Sequence, residues 1–154
     1  MNSQKSGDMV KLTKEAQQLM IERFGHDNVI ALATIDDGIP HVRYVNALYE
    51  KGAFYVVTYT LSNKMKHIEK NPTVAICGDW FTANGIGKNM GYILDKKNEE
   101  LAGKLRTAFA KWYFNGHTNE ADPYTCILCI DLTDGVLLSH GTRYELDFTN
   151  GNFE

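Results

Sequence analysis

The sequence lacks any uninterrupted apolar run close to the ~18 residues that a membrane-spanning helix requires. Its first stretch, Met1 to Val10, is polar and has no apolar leader core. A cytoplasmic protein is therefore the expectation, with residues 1–10 as a flexible N-terminus and no membrane partner. An excess of positive charge is also missing, since 16 Lys plus Arg stand against 19 Asp plus Glu. No global field gathers nucleic-acid phosphates, so a nucleic-acid partner is not expected, and any phosphate must be caught locally. Cysteine is scarce and odd in number, at Cys77, Cys126 and Cys129, which suits a reducing compartment. Cys126 and Cys129 form one CxxC within the apolar run Tyr124 to Leu132. Residues three apart on a strand point to opposite faces, so this pair is expected to be structural rather than chelating.

No Pro/Gly/Ser-rich stretch divides the 154 residues, so a single domain spanning 1–154 is expected. An apolar share of 44% with 23% charged residues is the profile of a folding globular chain. Leu12, Ala16, Leu19, Met20 and Phe24 predict an amphipathic helix stopped at Gly25, a residue suited to a left-handed cap. Short apolar runs then alternate with turn residues: Val29 to Ile35, Asp36-Asp37-Gly38, His41 to Tyr49, Lys51-Gly52, and Ala53 to Thr60. A short helix is predicted from Ser62 to Lys70, ended by Asn71-Pro72, and a strand from Thr73 to Cys77. The glycine-rich stretch Phe81 to Tyr92 fits either a bulged strand or a long loop. The stripe Leu101, Leu105, Ala108, Phe109 and Trp112 predicts the longest helix between Asp95 and Asn115. Strands are expected at Tyr124 to Leu132, Val136 to His140 and Arg143 to Phe148. About six strands and three helices without βαβ alternation predict a mainly β fold, a closed or partly closed antiparallel barrel with flanking helices.

The segment that carries chemistry runs Val57-Thr58-Tyr59-Thr60-Leu61-Ser62-Asn63-Lys64. Ser62 sits at a helix start, where free backbone N–H groups and the helix dipole favour an anion. Lys64 lies in the first turn, where the dipole alone disfavours a cation, and a bound phosphate would reconcile the two. A two-residue turn at Lys51-Gly52 sets a register in which paired positions sum to 103, so Arg43 would face Thr60 and Val45 would face Thr58. Arg43, hydroxyls, Lys64 and helix amides would then surround one phosphate. Singly, each has an ordinary structural reading: Ser62 as a cap, Lys64 as a solvated side chain, Arg43 as a partner of Glu50.

Arg43 in the second strand, Thr58, Ser62-Asn63-Lys64 and Ile68-Glu69-Lys70-Asn71-Pro72 together resemble the FMN-binding region of the pyridoxamine 5′-phosphate oxidase superfamily. The resemblance covers roughly Val29 to Trp80 well. The remainder, with Trp80-Phe81-Thr82 and the Asp95 helix, is similar to the short general-stress-protein branch. It implies a six-stranded antiparallel split barrel with FMN as cofactor. Arg43, Thr58, Ser62 and Lys64 would serve the phosphate and ribityl chain, and the Tyr44, Val45, Asn46 and Val57 backbone would lie near the isoalloxazine ring. It further implies a homodimer with FMN at the interface and an FMN-dependent oxidoreductase whose small-molecule redox substrate is unknown. The chain departs from the vitamin-making oxidases at Leu48, where they carry a substrate-contacting lysine, and at Arg143-Tyr144-Glu145, where they carry Arg-x-His. Oxidation of pyridoxamine phosphate itself is therefore not expected. A non-catalytic flavin-binding or stress-sensing protein, and a haem- or deazaflavin-binding barrel, remain open alternatives.

Other constellations are weaker. Gly85-Ile86-Gly87-Lys88-Asn89-Met90-Gly91 places its last glycine one residue late for a dinucleotide fingerprint and has no βαβ unit around it. Lys88 is left as surface charge or ligand contact. His117, Glu120 and Asp122 match no established metal-ligand spacing and read as a solvated loop; no metal site is expected. Ser139-His140 lacks a nucleophile elbow. No catalytic acid or base is named, because a flavin supplies the redox chemistry itself.

Overall fold

The structure, a computed structural model, describes residues 10–11 and 13–150. The expected flexible N-terminus and Leu12 lie largely outside the described residues. The strands are β1 (Val10–Lys11), β2 (Asn28–Asp36), β3 (Ile39–Glu50), β4 (Ala53–Tyr59), β5 (Thr73–Gly78), β6 (Phe81–Tyr92), β7 (Thr125–Ser139) and β8 (Thr142–Asp147). The α-helices are α1 (Lys14–Phe24), α2 (Asn63–Lys70) and α3 (Glu99–Ala108). Strand order β1-β8-β7-β4-β3-β2-β5-β6, with β6 returning to pair with β7, closes an antiparallel barrel of six strands. β8 and the two-residue β1 extend the sheet beyond it.

Turn chemistry sets the hairpins. Asp37-Gly38, Lys51-Gly52 and His140-Gly141 all have positive φ at both central residues, the geometry whose twist matches antiparallel strands. Inside the barrel, β2 buries alternate residues Ile30, Leu32 and Thr34. Ile30 and Leu32 join Phe54, Val56, Ile76, Phe81, Leu128 and Ile130 in one apolar cluster, which α1 covers with Ala16, Met20 and Phe24. Each fully buried large side chain contributes roughly 1.5–3 kcal/mol from removal from water. A second cluster lies outside the barrel wall, where Ala102, Leu105 and Phe109 of α3 and its C-terminal cap, with Tyr113, pack on Leu48 and Ile127. β7 is thus buried on both faces over Thr125 to Ile130, which explains its unbroken apolar run.

Several boundaries differ from expectation. Helix α3 is not the longest: a separate 3-10 turn, Lys96–Asn98, precedes it and turns follow from Phe109, so its ten residues are fewer than the eleven of α1. The two strands expected over Tyr124 to His140 are one strand of 15 residues, β7, because β6 pairs along nearly its whole length. The glycine-rich stretch is the strand β6, with register shifts at Asn84/Gly85 and Asn89/Tyr92. Gly25 has φ −79°, not a left-handed value; a Cβ there would sit 2.5 Å from the Ile21 carbonyl oxygen.

Candidate functional site

The turn at Lys51-Gly52 pairs Glu50 with Ala53, Tyr49 with Phe54 and Leu48 with Tyr55, the register expected. The ladder goes no further. Beyond it β3 pairs with β2, placing Arg43 opposite Leu32, and β4 pairs with β7, placing Thr58 opposite Cys126. The expected pairings of Arg43 with Thr60 and of Val45 with Thr58 therefore do not form: β3 and β4 part after the Leu48–Tyr55 pair, each keeping its partner on the opposite edge. The inner edges of β3 up to Ala47 and of β4 from Val56 onward are left without a strand partner on the side where they part.

Helix α2, which follows β4, packs on the barrel against β2 and β6. Met65 and Ile68 join the barrel cluster, and Gly87 of β6 lets the helix come close, since a Cβ there would lie 3.0 Å from the Ile68 side chain. Asn71 is extended at φ −141°, as its position before Pro72 requires. Ser62 holds the N-cap position of α2, and its carbonyl accepts from the Lys66 amide. Its side chain makes no capping bond, and its Oγ is buried without a hydrogen-bond partner. A partnerless buried hydroxyl costs about 1–3 kcal/mol, so the plain capping role of Ser62 does not account for it.

Lys64 lies in the first turn of that helix, and Arg43 of β3 is close enough to act on its charge. Burial pushes the Lys64 ammonium below its ordinary value, the neighbouring Arg43 guanidinium pushes the same way, and Cys126 opposes them. Burial likewise lowers Arg43. Neither forms an ion pair among the described residues. Glu50, the acid considered for Arg43, instead accepts from Lys104 Nζ at 2.7 Å. Arg43 Nη1 donates to Thr34 Oγ1 at 2.8 Å, to the Leu32 carbonyl at 3.1 Å and to the His41 carbonyl at 3.3 Å. These neutral acceptors orient the guanidinium without neutralising it. Two half-buried positive charges, first-turn amides and an unsatisfied hydroxyl are the groups that an anion site requires.

Thr58 is half-buried on the inward side of β4, facing the same way as Phe54 and Val56. Val57 faces the other way, against the α3 cluster. Val57, Thr58 and Tyr59 line a cleft of about 390 Å³ with His117, Asn119 and Asp122. On β3, Val45 packs against the barrel interior, Tyr44 is 80% exposed, and Asn46 donates to Asp27 Oδ1 at 3.0 Å. The side chains of Tyr44, Asn46 and Val57 thus do not converge with the cations. A larger cavity of about 1240 Å³ lies elsewhere, between α1, α3 and the β3–β4 hairpin.

Thr34 and His67 went unnoticed in the sequence. Thr34 is fully buried and bridges Arg43 to His67, whose Nδ1 lies 2.8 Å from its Oγ1. A polar residue in line with inward-facing Ile30 and Leu32 was the available signal. The other minor constellations resolve structurally. Cys126 joins the inner cluster while Cys129 contacts Tyr55 on the outer face, and burial pushes Cys129 up to about 11. Glu120 is no free loop acid: it accepts from Arg106 Nε at 2.7 Å and from the Tyr113 hydroxyl at 2.6 Å. Lys88 is exposed on β6, and Trp80 is exposed at the β5–β6 turn, lining a separate cleft with Arg23 and His140.

The pyridoxamine 5′-phosphate oxidase family model matches residues 12–138, most of the chain. The chain belongs to the pyridoxamine 5′-phosphate oxidase family. Within that family it is similar to general stress protein 26 of Bacillus subtilis, with 27% identity over 134 residues, 84% of this chain and 93% of that protein. The crystal structure of general stress protein 26 from Bacillus anthracis has a TM-score of 0.60 at 18% identity, covering 77% of this chain and 90% of that one. The same fold is shared with a FAD-binding protein from Mesorhizobium loti, at TM-score 0.59 and 15% identity, covering 77% and 90%. It is shared too with a haem-binding protein from Mycobacterium smegmatis, at TM-score 0.59 and 13% identity, covering 80% of this chain and 54% of that one. Likeness at these identities speaks for the fold alone. Among the described residues no helix is long and apolar enough to cross a membrane.

Proposed function

We propose that this member of the pyridoxamine 5′-phosphate oxidase family binds FMN where β3 and β4 part, and that it is an FMN-dependent oxidoreductase. The observation that carries the reading is the buried, partnerless Ser62 Oγ at the start of the helix whose first turn holds Lys64, an ammonium that feels the Arg43 guanidinium with neither cation in an ion pair among the described residues. A dianionic phosphate satisfies all three at once, relieving the unmet hydroxyl and the two desolvated charges. Thr58, inward-facing on β4, would suit the ribityl hydroxyls. The edge of Tyr44 to Asn46 turned away from β2, and that of Val57 turned away from β7, would suit the edge of the flavin ring. When bound, the flavin would supply hydride and electron transfer. The chain's residues would anchor its phosphate, orient its ring and leave one face for a small redox substrate. A cytoplasmic homodimer with the flavin at the interface completes the reading, because it would cover the exposed Val42 and Tyr44 of β3.

The test is an absorbance spectrum of the protein after incubation with FMN and gel filtration. Flavin bands co-eluting at a dimer volume, and lost in a Ser62→Ala, Lys64→Ala double variant, are expected. Retention of FMN by that variant would remove the site assignment. A haem Soret band in place of the flavin bands would move the chain toward its haem-binding relative. Reduction of the bound flavin by NADH or NADPH and its reoxidation by an acceptor separates the enzyme from a flavin-binding sensor. Absence of turnover with every donor would favour the sensor.

A further inference from the structure

A second group of chemically competent side chains gathers at His67, one turn along α2 from Lys64. Asp36 ends β2, His41 sits early in β3 and His67 faces inward from α2, so three elements each contribute one residue. One ligand atom from each lies within 4.8 Å of the other two. The His41 and His67 rings are 4.9 Å apart at a 45° tilt. His67 Nε2 is 3.8 Å from Asp36 Oδ2, too long for a hydrogen bond, so a simple His–Asp pair does not explain the cluster. His67 is only 8% exposed, and a buried imidazole held at one nitrogen with the other aimed at a carboxylate and a second imidazole is arranged as a ligand set.

We propose that Asp36, His41 and His67 form a site for one divalent transition-metal ion of the zinc type, distinct from the anion pocket. Two imidazoles and a carboxylate are the donor types zinc accepts, and three protein ligands leave a fourth position for water. Zinc–ligand distances of about 2.0–2.2 Å put neighbouring donors about 3–3.5 Å apart, so the group must contract by roughly 1 Å. His41 and Asp36 supply that movement, being exposed and half-buried side chains flanking the Asp37-Gly38 turn. His67 does not need to move. Its Nδ1 is held by Thr34 Oγ1, which is itself held by Arg43, the outer-sphere support that fixes the orientation of a metal-binding histidine. A metal here ties α2 to the β2–β3 hairpin, three residues along the helix from Lys64.

The test is calorimetric titration of tag-free, chelator-treated full-length protein with Zn²⁺, repeated without flavin so that the outcome is independent of the flavin reading. One equivalent is expected to bind, with affinity falling at least about tenfold in His41→Ala and in Asp36→Asn, and roughly 10- to 100-fold in Thr34→Val. Circular dichroism checks that each variant stays folded; the exposed His41 makes His41→Ala the decisive one. Co²⁺ should give intense visible ligand-field absorption that disappears in His41→Ala. No stoichiometric binding, or equal affinity in the wild type and a folded His41→Ala variant, would overturn the site.

Discussion

Replacing Ser62 by alanine separates a helix cap from a ligand-binding group, because the two roles predict opposite signs. A serine that caps a helix contributes about 1 kcal/mol, and its loss destabilises the fold. Here the capping bond is absent and Oγ is buried without a partner. The flavin-free protein therefore carries a desolvation penalty of about 1–3 kcal/mol that alanine removes. Ser62→Ala is expected to stabilise the flavin-free chain by about 1 kcal/mol, or about 2–4 °C in Tm for a chain of this size. The same change should weaken FMN. A hydrogen bond to a charged phosphate contributes about 1.5–3 kcal/mol, which raises Kd roughly 10- to 150-fold. Thermal unfolding of the flavin-free proteins and fluorescence titration with FMN read the two quantities separately. A variant that is less stable and binds FMN as tightly as the wild type would refute the reasoning and leave Ser62 as a cap.

Three further outcomes follow from the same contacts. Lys64 titrates below its ordinary value of 10.5 in the folded chain, mainly through burial, so between the two values the unfolded state binds more protons and stability rises with pH. Lys64→Met should be more stable than the flavin-free wild type near neutrality, the gap closing as pH approaches 10.5; a constant gap across urea melts at several pH values would count against it. Gly87→Val places side-chain atoms against Ile68 and should destabilise by about 1–3 kcal/mol while loosening α2, read as weaker FMN retention at a temperature where the fold survives. Glu120 is held below the usual carboxylate range, first by its hydrogen bond to Arg106. Its contribution is present above 4.5 and lost as pH falls through the lowered value. Glu120→Gln should therefore cost up to about 1 kcal/mol at neutral pH and nothing in strong acid, as acid-titrated denaturant melts would show.

Local signals were readable wherever one residue decides the geometry. Asp37-Gly38 and Lys51-Gly52 announced hairpins because both central positions need positive φ, and Asn71-Pro72 announced the end of α2. The pairing of Lys64 with a helix start was readable as an anion signal for the same reason: its placement conflicts with the dipole unless something compensates. What escaped depends on closure. The sequence around Thr133-Asp134-Gly135 interrupts the apolar run, yet β7 continues through it with Thr133 as the extra residue of a bulge, paired onward with β6 on one side and β8 on the other. The early end of the β3–β4 ladder belongs to the closed barrel, in which the parted strands are held on their other edges by β2 and by β7, the latter about seventy residues away in sequence. Thr34, Arg43 and His67 come from three elements and meet only after α2 docks, so no spacing rule reveals them.

The central claim is that the protein grips a phosphate through Arg43, Ser62 and Lys64, and comparing FMN with riboflavin tests it most directly, since the two differ only in that group. Titrated into the flavin-free protein, FMN should bind at least about 100-fold more tightly than riboflavin, as several charge-assisted hydrogen bonds imply, and the advantage should collapse in Lys64→Ala. Equal affinity for the two, or a preference that survives in Lys64→Ala, would contradict the account.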